Sequence, residues 1–103
     1  MKIAIAADAP NIDTDVAAHA ARAPYYLIFN ADGRLYAAPA NPVVASGQGA
    51  GPAAAQFLTG QGVGLVVAGE FGPHFLDALE EHGIKHAQET GRASDVVARL
   101  IAR

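Results

Sequence analysis

From residue 50 onward the chain alternates short apolar runs with helical segments opened by a Gly-Pro step, and few architectures accept that order. Gly51-Pro52 precedes Ala53-Ala54-Ala55-Gln56-Phe57-Leu58, and Gly72-Pro73 precedes a segment that puts Phe75, Leu76 and Leu79 on one helical face. Proline suits the first helical position, where its missing N–H would have no partner in any case. Gly60 or Gly62 closes the first helix. Gly83 closes the second, with His82 in its last turn. Between and after them, Gly64-Leu65-Val66-Val67-Ala68-Gly69 and Ile84-Lys85-His86-Ala87 read as strands, and a last helix spans 93–102 with Val96, Val97, Leu100 and Ile101 as its apolar face. Strands that alternate with helices imply right-handed parallel crossovers. The residues flanking the two Gly-Pro steps do not match, so the steps are punctuation, not an internal repeat.

The first half adds a different element. Lys2-Ile3-Ala4-Ile5-Ala6-Ala7 is a buried central strand ended by Asp8-Ala9-Pro10. Tyr25-Tyr26-Leu27-Ile28-Phe29 is dense in aromatic and branched residues. The Asp32-Gly33 turn leads from it into Arg34-Leu35-Tyr36-Ala37-Ala38, a hairpin over 24–38. Residues 11–22 have two readings: Asp13, Thr14 and Asp15 cap a short helix over 16–21, or the whole segment is loop. The expected domain is therefore a single α/β unit over 1–103, with a mixed sheet in which the hairpin contributes one antiparallel strand.

Composition narrows what such a domain does. Hydrophobic residues make up 51 % of the 103, but alanine supplies much of that and aromatics only 7 %, so the core is modest and each large side chain matters to it. A small core of this kind favours burying more surface by weak self-association into a homodimer. The net charge of −3 and the lack of any basic run argue against a nucleic-acid partner. No run is apolar enough to cross a membrane, and the N-terminal run lacks the length and cleavage site of a secretory signal, so the cytoplasm is expected. The chain has no cysteine, which excludes disulfides, thiolate-held zinc and any iron–sulfur cluster held by the protein's own thiolates.

Ligands of open α/β sheets bind beyond the carboxyl ends of the strands. Asp8-Ala9, Glu70-Phe71-Gly72-Pro73-His74 and residues 41–51 belong there, and two of these segments end in helix N-termini, which favour an anion. Gly47-Gln48-Gly49-Ala50-Gly51 fails the specific tests of a nucleotide loop, since no Gly-Lys-Ser/Thr follows it and it does not follow the first strand, and its other readings are a connection that lets helices pack closely or a cradle for an anion. His74 lies just inside a helix start, where positive charge is disfavoured, and so is a candidate metal ligand as a neutral imidazole. His19 lies in the loop before the hairpin. His82 is read as a helix C-terminal cap and His86 as a strand-edge residue. Asp8, Asp13, Asp15 and Glu70 form a possible carboxylate set, in which Asp8 and Glu70 at strand ends would hold magnesium for a hydrolase. Ser46 and Ser94 lack a nucleophile's setting, and an enzyme is not expected.

Four stretches together resemble the dinitrogenase iron–molybdenum cofactor biosynthesis family, which includes NifX-like proteins, the C-terminal part of NifB and small stand-alone homologues. They are the opening strand with Asp8; His19-Ala20-Ala21-Arg22-Ala23-Pro24-Tyr25-Tyr26; Asn41-Pro42 with Gly49-Ala50-Gly51; and the run from Gly62 through Gly69, Gly72-Pro73, Leu79 and Gly83-Ile84. The resemblance implies a three-layer ribonuclease H-like fold with a five-stranded sheet of order 3-2-1-4-5 and one antiparallel strand. It implies a non-catalytic carrier for an anionic metallocluster, iron–molybdenum cofactor or an iron–sulfur precursor, that exchanges it with cluster-donor or acceptor proteins. The implied site comprises Asp8, His19, Arg22, Asn41, Gly49, Gly51, Gly69, Gly72 and His74, with His19 and His74 as the metal-ligating members. Ala20-Ala21 stand where the family usually has Phe-Gly. Two other readings remain open from the sequence: the Asp8–Glu70 magnesium hydrolase, and an interaction module with a vestigial pocket.

Overall fold

The computed structural model describes residues 1–43 and 50–101. Eight elements follow one another: β1 (Lys2–Ala7), β2 (Tyr25–Phe29), β3 (Leu35–Ala37), α1 (Ala50–Gly60), β4 (Val63–Ala68), α2 (Pro73–Glu81), β5 (Lys85–Gln88) and α3 (Ala93–Ile101). The sheet order is β3-β2-β1-β4-β5. β1 runs antiparallel to β2, with Ile3 opposite Phe29 and Ala7 opposite Tyr25, and β3 returns antiparallel along β2. β4 lies parallel to β1, with Ala4 beside Val66, and β5 lies parallel to β4. β2 is thus the single strand that opposes the rest, as the hairpin signal required.

Alternation along the strands splits the core into two layers, because successive side chains leave a sheet on opposite faces. Ala4, Ala6, Tyr26, Ile28, Val66 and Ala68 face α1 and α2, where they meet Ala54, Ala55, Leu58, Phe75 and Leu79. Ile3, Ile5, Leu27, Phe29 and Val67 face the other way, onto Val96 and Val97 of α3. The two faces differ in kind. The first sets small alanines against a few large rings, so α1 and α2 can seat close to the sheet and to each other; the second is a branched aliphatic layer under a single helix.

Boundaries moved by a residue or two. β4 ends at Ala68, not Gly69, because the Gly69 N–H donates to Ala17 O at 3.0 Å instead of continuing a strand ladder. α1 includes Ala50 and Gly51 ahead of Pro52. Proline is tolerated there because no first-turn N–H has an intrahelical acceptor. α2 begins as expected, with Gly72 as N-cap and Pro73 in its first turn, and ends at Glu81 with His82 as C-cap, followed by Gly83, whose φ of 69° is the left-handed conformation that glycine adopts without strain. His82 caps α2 by donating from Nδ1 to Ala78 O at 2.9 Å.

Of the two readings of residues 11–22, the loop is the one formed. Its backbone is spent on other elements: Ala17 N donates to Ala6 O, Val16 N to Gly91 O, and the loop's Thr14 and Ile12 carbonyls accept from Ala93 N and Ser94 N at the start of α3. A helix over 16–21 would give up the bonds of Val16 and Ala17 to Gly91 and Ala6.

Candidate functional site

The residues after β1 and after β4 meet. Glu70 N donates to Ala18 O at 2.7 Å, Ala20 N donates to Glu70 O at 3.1 Å, and His19 pairs with Glu70 in a short parallel bridge. Gly69 makes that approach possible: a Cβ there would stand 3.1 Å from Ala18 Cα and 3.3 Å from Ala18 O. The loop that carries His19 and Arg22 is thereby laid directly over the end of β4.

Beside it lies a cavity of about 610 Å³, lined by His19, Ala20, Ala21 and Arg22 from the loop, Ala50, Gly51 and Pro52 from the start of α1, and residues 70–75 apart from Pro73. Two helix starts therefore open onto one space. Their closeness is a consequence of Gly51, where a Cβ would fall 2.9 Å from Phe75 N and 3.1 Å from Phe75 Cα. At α2, the N-cap Gly72 contributes no side-chain bond to the first turn. No N–H of the first turn of α2 has an intrahelical acceptor, and a helix start of this kind favours an anion, although Phe75 N itself is covered by Gly51. His19, Arg22 and His74 are exposed at its rim, and Phe75 is buried in its wall. Phe71 stacks on Phe75 with centroids 5.9 Å apart and meets the His86 ring edge-on at 5.0 Å, which fixes an aromatic flank.

Five of the expected site residues, His19, Arg22, Gly51, Gly72 and His74, share this cavity. Gly49 lies outside the described residues. Gly69, Asn41 and Asp8 do not line it. Gly69 serves by its missing side chain, Asn41 is buried beneath the loop with its amide committed to backbone, and Asp8 is exposed past the end of β1. Glu70 is in the lining and Asp8 is not. Among the described residues no group of three or more histidine, cysteine or acidic side chains gathers to hold a metal ion. The aromatic pair Phe71 and Phe75 went unassigned as site residues, because Phe75 reads in sequence as an ordinary core position of an amphipathic helix.

The fold has known counterparts. The chain is 31 % identical to the apo form of the orange protein from Desulfovibrio gigas, covering 98 % of this chain and 87 % of that one with a TM-score of 0.85. An NMR structure of a Thermotoga protein named for NifB and the DUF35 family matches with a TM-score of 0.82 at 24 % identity, over 96 % of this chain and 85 % of that one. No curated protein matches the chain. The family model described as dinitrogenase iron–molybdenum cofactor matches residues 1–103. That match spans the whole chain, and the chain belongs to the dinitrogenase iron–molybdenum cofactor family.

Proposed function

We propose that the protein is a non-catalytic carrier whose cavity receives an anionic metal–sulfide cluster, iron–molybdenum cofactor or an iron–sulfur precursor of it. The observation that carries this reading is the convergence of two helix starts with His19, Arg22 and His74 on one open cavity. Helix starts and a guanidinium attract anions. Imidazole supplies a metal ligand, and the Phe71–Phe75 flank suits polarisable sulfur, which packs favourably on aromatic rings. With no cysteine in the chain, the cargo must bring its own sulfides, and exchange with donor and acceptor proteins is correspondingly easy. The family name points to the same cargo. The three-layer architecture is the one that the resemblance names ribonuclease H-like, and of the two carboxylates a hydrolase would use, Glu70 lines the cavity and Asp8 does not.

The test is an anaerobic titration with tetrathiomolybdate, a soluble anionic molybdenum sulfide, followed by visible absorbance. Saturable binding by the native protein, weakened about tenfold or more in His19→Ala, is expected. Failure of the native protein to bind this probe and an iron–sulfur precursor alike overturns the reading.

A further inference from the structure

Two polar side chains lie in the core directly under the loop that carries His19 and Arg22. Asn41 is 5 % exposed and Tyr26 is fully buried. The Tyr26 hydroxyl donates to Ala20 O at 2.7 Å. The Asn41 amide donates to Ala21 O at 2.9 Å and Ala23 O at 3.0 Å, and lies 3.5 Å from the Tyr26 hydroxyl. Its carbonyl oxygen accepts from Val43 N at 3.0 Å, and its own N–H donates to Pro24 O at 2.9 Å. Among the described residues no buried side-chain nitrogen or oxygen lacks a partner.

Such a network is a poor choice for stability alone. Apolar groups of the same shape often serve a core as well, because a net hydrogen bond contributes little once desolvation is counted. What a satisfied buried network does supply is a unique local geometry. Here the carbonyls of Ala20, Ala21 and Ala23 are all held inward by side-chain donors. Arg22, between two of those anchored carbonyls, is left exposed on the cavity side. His19 is fixed from its other flank by the bonds of Ala18 and Ala20 to Glu70. Ala20, Ala21 and Ala23 carry no polar side chain of their own, and the donors that hold their carbonyls come from Tyr26 and Asn41.

We infer that Tyr26 and Asn41 are positioning residues of the ligand site: they turn the 20–23 backbone inward and so set where His19 and Arg22 stand. This rests on the proposed carrier function for the meaning of the site, but not for the geometry. Asn41 acts without touching the ligand.

The two parts are separated by two measurements, each made on the native protein and on the variants Tyr26→Phe and Asn41→Leu. Tyr26→Phe removes one oxygen and keeps the ring in the core, so it remains folded even if Asn41→Leu does not. In the ligand-free proteins, NMR reports the amide and imidazole shifts of residues 19–24 and their exchange broadening. In the titrations, tetrathiomolybdate reports affinity. The expected result is shifted or broadened signals confined to residues 19–24 and binding about tenfold weaker, with the rest of the spectrum native. Unchanged loop signals with affinity within twofold of native overturn the inference, as does a lower melting temperature with native loop signals and native affinity. If the native protein binds no probe, the carrier function fails, and the loop signals alone decide the positioning role: native signals in Tyr26→Phe refute it.

Discussion

Gly51 and Gly72 are the same residue in the same Gly-Pro context, yet they do opposite things. A Cβ at Gly51 would stand 2.9 Å from the backbone of Phe75, while one at Gly72 would meet nothing within 4 Å. Gly51→Ala should therefore destabilise the protein by about 1–3 kcal/mol, since rigid backbone cannot yield as a side chain can and the clash outweighs the helix-propensity gain. Urea unfolding measures it, and a variant as stable as native would show that α1 and α2 slide apart freely. Tyr26 makes a second prediction. Its phenol is raised well above its ordinary value by burial. The folded state then holds a proton that the unfolded chain releases near pH 10, so stability is full below that pH and falls as pH rises above it, by roughly 1.4 kcal/mol per unit. Tyr26→Phe should show a shallower alkaline loss than native protein in unfolding curves taken from pH 8 to 11.

At the scale of elements, the helices and strands were legible because their signals are local. Periodicity, Gly-Pro starts and the Asp32-Gly33 turn need no knowledge of the rest of the chain. The 11–22 segment was not, because its backbone bonds go to β1, to the start of α3 and to the turn after β4, the last two dozens of residues away. The same distance explains Asn41. Its place among the site residues came from its motif, but its task, holding the carbonyls of Ala21 and Ala23, depends on a contact about twenty residues back in the chain. The start of α2 shows an element traded between stability and binding. Gly72 leaves the first turn without a side-chain cap, and open space around it admits one. Gly72→Asp should raise stability by a few tenths of a kcal/mol, because aspartate both caps and complements the helix dipole. The same carboxylate would occupy the N–H groups offered to the cargo and repel it. A higher melting temperature with at least tenfold weaker tetrathiomolybdate binding is expected; undiminished binding would mean that the α2 start takes no part in the site.

For the molecule as a whole, the cavity stands where the 19–22 loop meets the starts of α1 and α2. The 8–24 segment caps α3 on one side of the sheet and reaches the start of α2 on the other. A ligand held there bridges the 19–22 loop, α1 and α2 at once, so occupancy should tighten parts that otherwise depend on Gly51, Gly69 and the Asn41–Tyr26 bonds. Binding to the folded state alone stabilises it by about 2.7 kcal/mol at a free ligand concentration one hundred times Kd. In a domain of this size each kcal/mol moves the melting temperature by roughly 4–8 °C. Tetrathiomolybdate at that excess should therefore raise the melting temperature of the native protein by about 10 °C or more. Molybdate, which has the same charge but hard oxygens in place of sulfides, should raise it far less, because the Phe71–Phe75 flank favours a polarisable ligand. Equal shifts from the two would show that the cavity selects charge alone. It would then be a general anion cradle in which the aromatic flank has no part in choosing the cargo.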